Sequence, residues 1–182
     1  NASLAYISVQ SRSAAGNVWF DDVELVKLLP TSNLADNPGF ESGVTKPDSW
    51  SFTNAETGGS WAWDTSVMHE GQKSIRLITS AATDRAILYQ QYIAIEPEST
   101  YSLSAFYCAD NAQVQPYITI TWYTSEKVYI TSTAMNGIKG AADWTKVRLN
   151  VTSPVNASLA YISVQSRSAA GNVWFDDVEL VK

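Results

Sequence analysis

A chain of 182 residues, 45% of them apolar and 16% charged, can bury one substantial core and is too short for two ordinary domains, so one domain with an appendage is expected. Twelve basic against eighteen acidic residues, a net charge of −6, leave no basic stripe to follow a phosphate backbone or an anionic bilayer, which argues against nucleic acid and membrane as partners. No run of eighteen apolar residues occurs and the chain opens in mid-strand character, so neither a transmembrane helix nor a signal peptide is expected, and any export signal would lie outside it.

In chain order the first feature is a repeat. Residues 1–27, NASLAYISVQSRSAAGNVWFDDVELVK, recur unchanged at 156–182, an offset of 155 residues. Such identity means either natural tandem modules of that period, the favoured reading, or an engineered duplication. The stretch at 28–43, with its Pro, Ser, Asn and Gly, reads as a linker and the entry to a new domain, which makes 28–182 the module proper and 1–27 a spare copy of its last two strands.

Short segments rich in Thr, Tyr, Val and Ile follow, separated by Gly, Asn, Asp and Pro, and no segment sustains apolar residues at helical spacing. Strands are predicted near 50–53, 60–65, 73–79, 86–95, 100–108, 115–123, 128–133, 144–151, 158–166 and 172–181, with reversals at Glu70-Gly71, Pro97-Glu98, Asn136-Gly137 and Ala170-Gly171-Asn172. In YITITWYT, Ile118, Ile120 and Trp122 alternate with Tyr117, Thr119, Thr121 and Tyr123. In SLAYISVQS, Ala160, Ile162 and Val164 alternate with Leu159, Tyr161, Ser163 and Gln165. One face of each strand therefore packs on a core, and the other shows hydroxyls and aromatics outward as a possible ligand platform.

Seven tryptophans and nine tyrosines exceed what such a core needs. A sugar ring has apolar C–H faces and a hydroxyl rim, so flat aromatic surfaces beside amide partners suit it. The candidate set is Trp50, Trp61, Trp63, Tyr123 and Trp144 for stacking, with Gln91, Gln115 and Gln165 among the hydrogen-bonding partners; Trp122 is assigned to the core and Trp174 is left open. Core packing or a solvated strand face is the competing reading for each.

Cys108, the lone cysteine, has Phe106 and Tyr107 beside it and reads as a buried hydrophobe, while His69, the lone histidine, sits in a turn with nothing to mark it as a nucleophile's partner. Acidic residues fall mostly singly in turns, so no catalytic carboxylate pair is visible. The exceptions, Glu41 and the pair Asp176-Asp177, lie at the two ends of the module. They could meet if its first and last strands are neighbours, a set of hard oxygen ligands suited to a structural calcium ion or, on the competing reading, simple caps and surface charge.

Taken together, NLADNPGFESG at 33–43, Trp50, HEGQKSIRL at 69–77, YQQYIAI at 89–95, PESTYSLSAFY at 97–107, DWTKVRLNVT at 143–152 and VWFDDVEL at 173–180 resemble the jelly-roll carbohydrate-binding modules of families four, nine, sixteen and twenty-two, family sixteen being the preferred neighbour. The resemblance implies an all-β, galactose-binding-like fold of two antiparallel sheets, with a glycan cleft on the concave sheet or a loop edge. It also implies a remote Ca2+ on Glu41 and Asp176, with Asp177 as the fallback and backbone oxygens from the turn at 71–74. Such modules are usually appended to secreted bacterial glycoside hydrolases. The expected partner is thus a β-linked plant polysaccharide such as cellulose, glucomannan or mannan, and the expected setting is extracellular. The alternative is a structural or adhesive repeat of a cell-surface protein without a sugar site.

Because 1–27 can make the same pairings as 156–182, two frames compete: a module at 28–182 with an N-terminal tail, or a permuted one at 1–155 with the C-terminal tail left over. Donation of the spare strands to a second molecule, by way of Val18, Trp19, Phe20, Val23 and Leu25, is the third outcome, so self-association is expected.

Overall fold

The computed structural model describes residues 32–53 and 58–182; the spare strand pair at 1–27, and the packing and self-association expected of it, lie outside the described residues. The described residues form ten strands and no helix: β1 (Ser51–Thr53), β2 (Ser60–Asp64), β3 (Ser74–Thr79), β4 (Arg85–Ala94), β5 (Thr100–Ala109), β6 (Gln115–Tyr123), β7 (Tyr129–Asn136), β8 (Thr145–Thr152), β9 (Leu159–Arg167) and β10 (Gly171–Val181). They make two five-stranded sheets, ordered β1-β4-β9-β6-β7 and β2-β3-β10-β5-β8, and every pairing between these strands is antiparallel.

Each strand lies where the alternating pattern puts one. β7 runs three residues beyond its expected end, because β6 goes on offering partners as far as Tyr117 opposite Asn136, and Gly137 N then closes the reversal on Pro116 O at 2.9 Å. The inward side chains follow the predicted parity. Ile118, Ile120 and Trp122 of β6 and Ala160, Ile162 and Val164 of β9 join Leu77, Leu103 and Phe175 of the facing sheet in one buried cluster.

The irregular entry segment is held by its own polar residues. Asn33 Oδ1 accepts from Leu180 N at 2.9 Å and its Nδ2 donates to Val178 O at 2.9 Å, which welds the segment to β10. Trp50 is fully buried beside Phe40, and its indole N–H donates to the carbonyls of Asp36 and Asn37 at 3.0 and 3.1 Å. Phe40 is itself in the left-handed region at φ 59°, a costly conformation that this packing holds in place. Val178 N donates to Pro38 O at 3.0 Å, so the NPGFE run clamps the entry segment to the last strand.

Candidate functional site

The outward face of the β1-β4-β9-β6-β7 sheet is a platform of tyrosines and hydroxyls. Tyr89 of β4 and Tyr161 of β9 stack with centroids 4.8 Å apart and planes 18° from parallel. Tyr123 stands edge-on to Tyr129 at 6.2 Å and to Tyr92 at 6.1 Å. Burial, and then the proximity of Tyr89 and Tyr123, push the Tyr161 hydroxyl far above the ordinary tyrosine range, so it is a neutral hydrogen-bonding group at any working pH. Between Tyr117 and Tyr123, six residues apart on β6, the platform extends about 20 Å along the strand.

Beneath the rings lies a network that fixes the surface. Gln165, 5% exposed, donates to Ser163 Oγ at 2.7 Å and Thr119 Oγ1 at 3.2 Å and accepts from Arg167, whose guanidinium lies 4.8 Å from the Tyr117 ring centroid. Thr121 and Ser132 share a hydrogen bond of 3.0 Å across β6 and β7. Flat rings locked over satisfied hydroxyls and amides present the alternation of apolar face and polar rim that a sugar ring needs.

The predicted residues divide between the sheets. Tyr123, Gln115 and Gln165 lie on the platform sheet; Gln115 is buried and donates to Gly137 O at 2.6 Å, and Gln91 is exposed at the β4 bulge, where Tyr92 has φ 62°. The tryptophans lie elsewhere. Trp50 has 0% exposure, which corrects its assignment as a stacking residue: the clamp needs its ring and closes it from any ligand. Trp61 and Trp63 stand on β2 in the opposite sheet, across from the fully buried Leu77 and Ile75 and packed half-buried against the core, with Lys73 Nζ 3.9 Å from the Trp63 ring centroid. Trp144, half-buried, sits edge-on to His69 at 5.6 Å on that same sheet's outer side. Trp122 is core, as expected, and Trp174 is buried with its N–H on Asp64 Oδ2 at 2.8 Å. Tyr89, which the residue types did not single out, could have been found by extending the β6 and β9 parity rule into YQQYIAI.

The acidic residues at the module's two ends come together. A side chain at Gly39 would begin 3.4 Å from Asp177 Oδ1 and 3.8 Å from both Asp176 Oδ1 and Glu41 Cγ. A β10 bulge, with Asp177 at φ 48°, turns both aspartates toward the loop at 69–70. Asp176 is fully buried; burial lifts its pKa to about 6 against the hydrogen bonds it accepts from the amides of His69, Asp177 and Glu70, and no cationic side chain pairs with it among the described residues. The turn at 71–74 offers Glu41 the amides of Gln72 and Lys73, at 2.8 and 3.0 Å, where carbonyl oxygens were expected. Gly71 stands at φ 69°, in the left-handed region that favours glycine, and a Cβ there would also crowd the Glu41 carboxylate. As placed, no three His, Cys, Asp or Glu side chains among the described residues form a ready metal cage. A buried carboxylate without a cationic partner, beside two more, nonetheless has the donor chemistry for a hard cation.

His69 has more company than its turn suggests: Nδ1 is 2.6 Å from Asp177 Oδ2 and the ring stacks on Phe106 at 3.7 Å. Cys108 is buried, and burial, with the charges of Asp110 and Asp143, lifts its thiol to about 11, so it is no nucleophile.

A two-sheet sandwich with a tyrosine and hydroxyl platform on one outer face is an arrangement that suits a saccharide ligand. The carbohydrate-binding domain family CBM_4_9 matches residues 32–171, and the chain belongs to it. Among proteins it is similar to, tRNA nuclease WapA of Bacillus subtilis strain 168 is 28% identical over 167 residues, which cover 85% of this chain and 7% of that protein. The chain therefore spans only a small part of the curated relatives it matches. A family 16 carbohydrate-binding module shares the fold at TM-score 0.60 and 18% identity, over 82% of this chain and 100% of that one. The module TmCBM61, solved with β-1,4-galactotriose, shares it at TM-score 0.60 and 16% identity, over 84% and 99%.

Proposed function

We propose that the chain binds an extended β-1,4-linked polysaccharide across the platform sheet, without chemistry, and so holds an attached protein on that polymer. The observation that supports this is the outer face of β4, β9 and β6, where tyrosine rings lie over satisfied hydroxyls while β1, β4, β6, β7 and β9 contain no Asp or Glu. Glycoside hydrolysis by paired carboxylates has no pair to use there. Cellulose, glucomannan and mannan are the first ligands to test, and galactan joins them because TmCBM61 was solved with a galactotriose. The attached partner is a glycoside hydrolase in the simplest case, and the setting is outside a bacterial cell, where such polymers are met.

Calcium belongs to this reading as a structural ion held by Glu41 and Asp176, with Asp177 beside them. It would neutralise a buried carboxylate and tie the entry loop to the last strand. Added calcium is expected to raise the midpoint of thermal unfolding, and Glu41→Ala to abolish that rise; an unfolding curve indifferent to calcium and chelator contradicts it.

A second reading, a structural repeat within a large surface protein, is favoured by the relatives in which the matching segment is 7% of the chain. Affinity gel electrophoresis at fixed calcium against hydroxyethylcellulose, glucomannan, galactan, xylan and laminarin separates the two. Retardation by a β-1,4-linked polymer is the expected result, and retardation by none overturns the binding reading in favour of the structural one.

A further inference from the structure

Charge is distributed unevenly between the sheets. The five platform strands hold no acidic residue and two basic ones, Arg85 and Arg167, in a chain whose net charge is −6. The facing sheet carries Asp64, Asp176, Asp177 and Glu179 on β2 and β10, together with Arg76, Lys146 and Arg148 on β3 and β8, so only the platform sheet has cations without carboxylates. Arg85 and Arg167 are direct cross-strand partners on β4 and β9, a placement in which like charges repel.

Arg167 is half-buried. Its Nε is shut from solvent with no hydrogen-bond partner, one Nη serves Gln165 Oε1, and the guanidinium is held 4.8 Å from the Tyr117 ring centroid. No carboxylate forms an ion pair with it among the described residues. Burial, then the charge of Arg85, hold its pKa below the ordinary arginine value, the mark of a cation short of compensation. Arg85 is exposed and has a further contact of its own, whereas Arg167 is the arginine whose guanidinium is oriented by an aromatic ring. Both arginines and Tyr117 line a cavity of about 360 Å³ at this end of the platform. The carboxylate in its wall, Asp84, is turned onto the amides of Ser80 and Ala81 at 2.8 and 2.9 Å.

We propose that this end of the platform takes an oxyanion substituent of the saccharide chain, the carboxylate of a uronic acid or a phosphate ester, on the Arg167 guanidinium, with the neighbouring sugar ring against the platform tyrosines. This rests on the reading that the platform sheet binds polysaccharide. A guanidinium fork pre-oriented on an aromatic ring suits a planar or tetrahedral oxyanion, and such a ligand supplies the compensating charge that a neutral sugar cannot. The ligand is thus a β-linked chain bearing acidic groups.

The test uses the whole 182-residue chain, at physiological salt and fixed calcium, with each β-1,4-linked hexan of the panel in three forms: unmodified, oxidised at C6 to the uronic acid, and phosphorylated at C6. An acidic form is expected to bind at least about tenfold more tightly than its neutral parent, the size of a charge-assisted hydrogen-bond pair, and whichever acidic form leads identifies the source. Because residues 1–27 repeat 156–182, the substitution is made as Arg12→Gln with Arg167→Gln, so that neither copy supplies the guanidinium. The acidic-to-neutral ratio then falls to about one, and Arg12→Lys with Arg167→Lys, which keeps the charge and loses the fork, gives an intermediate ratio. Equal affinity for acidic and neutral forms in the unaltered chain overturns this proposal and leaves the binding reading standing. Binding of no form overturns both. Single-stranded RNA bound as tightly as the acidic polysaccharide also overturns it, since charge alone would then suffice.

Discussion

The two sheets bury the same kinds of apolar side chain on their inner faces and differ in what their outer faces do. On the β2-β3-β10-β5-β8 sheet, polar groups are absorbed by the protein: Asp176 lies under the amides of His69 and Glu70, Asp64 takes the Trp174 indole, and Glu179 is bonded to Lys146 at 2.7 Å and Ser104 at 3.1 Å. On the platform sheet, Gln165, Ser163, Thr119 and Thr121 are also satisfied, but by one another, which leaves the tyrosines above them half open. Residue type alone does not decide which aromatic is open: Tyr101 and Tyr107 are core like Trp50 and Trp122, whereas Tyr89, Tyr117, Tyr123 and Tyr161 are half-buried on the outer face of the platform sheet.

Trp50 carries the greatest weight in the fold. Its ring fills the clamp and serves two carbonyls, so Trp50→Ala is expected to cost about 3–5 kcal/mol in a urea unfolding titration; a cost under 1 kcal/mol would mean that the ring is not a core element.

Asp64 is the polar counterpart on the β2-β3-β10-β5-β8 sheet. Burial opposes its ionisation, but hydrogen bonds from the Ser66 side chain, Trp174, and the amides of Ser66 and Val67 outweigh that and hold it well below the usual carboxylate range. A lowered folded-state pKa stabilises the fold above the unfolded value, near 4, and that contribution is lost as the pH falls through the folded one. Asp64→Asn should therefore cost about 2 kcal/mol at neutral pH, and the gap to the parent should narrow below about pH 4. A gap independent of pH contradicts the assignment.

The smallest effect belongs to the exposed pair Lys182 and Glu96, where Lys182→Ala should move stability by less than about 0.5 kcal/mol. A larger loss would mean that the C-terminal strand is anchored by charge instead of by the hydrogen bonds of Asn33 and Leu34 to Leu180.

Much of this architecture was legible in the sequence because its causes are local. A period of two fixes which side of β6 and β9 is apolar, and turn residues fix where strands stop, so Ile118, Ile120, Trp122, Ala160, Ile162 and Val164 fell on the correct face. What stayed hidden depends on distant partners. Which sheet receives β2 decides where Trp61 and Trp63 point, and the pairs Asp64 with Trp174 and His69 with Asp177 join residues 110 and 108 apart. The β10 bulge that re-aims Asp176 and Asp177 leaves no mark in the hydrophobic pattern. Nothing local in the sequence shows that the amides of Gln165 and Gln115 are spent inside the sheet.

One measurement bears most directly on the claim that the tyrosine face is the binding surface. Retardation of the whole chain by its best polymer is compared between a variant carrying Tyr6→Ala with Tyr161→Ala, both copies of the repeated tyrosine, and one carrying Trp61→Ala with Trp63→Ala. Affinity should fall about tenfold or more in the tyrosine variant and stay within about twofold in the tryptophan variant, each checked as folded by its thermal transition. Full retardation of the tyrosine variant with loss in the tryptophan variant would place the site on the other sheet and contradict the account.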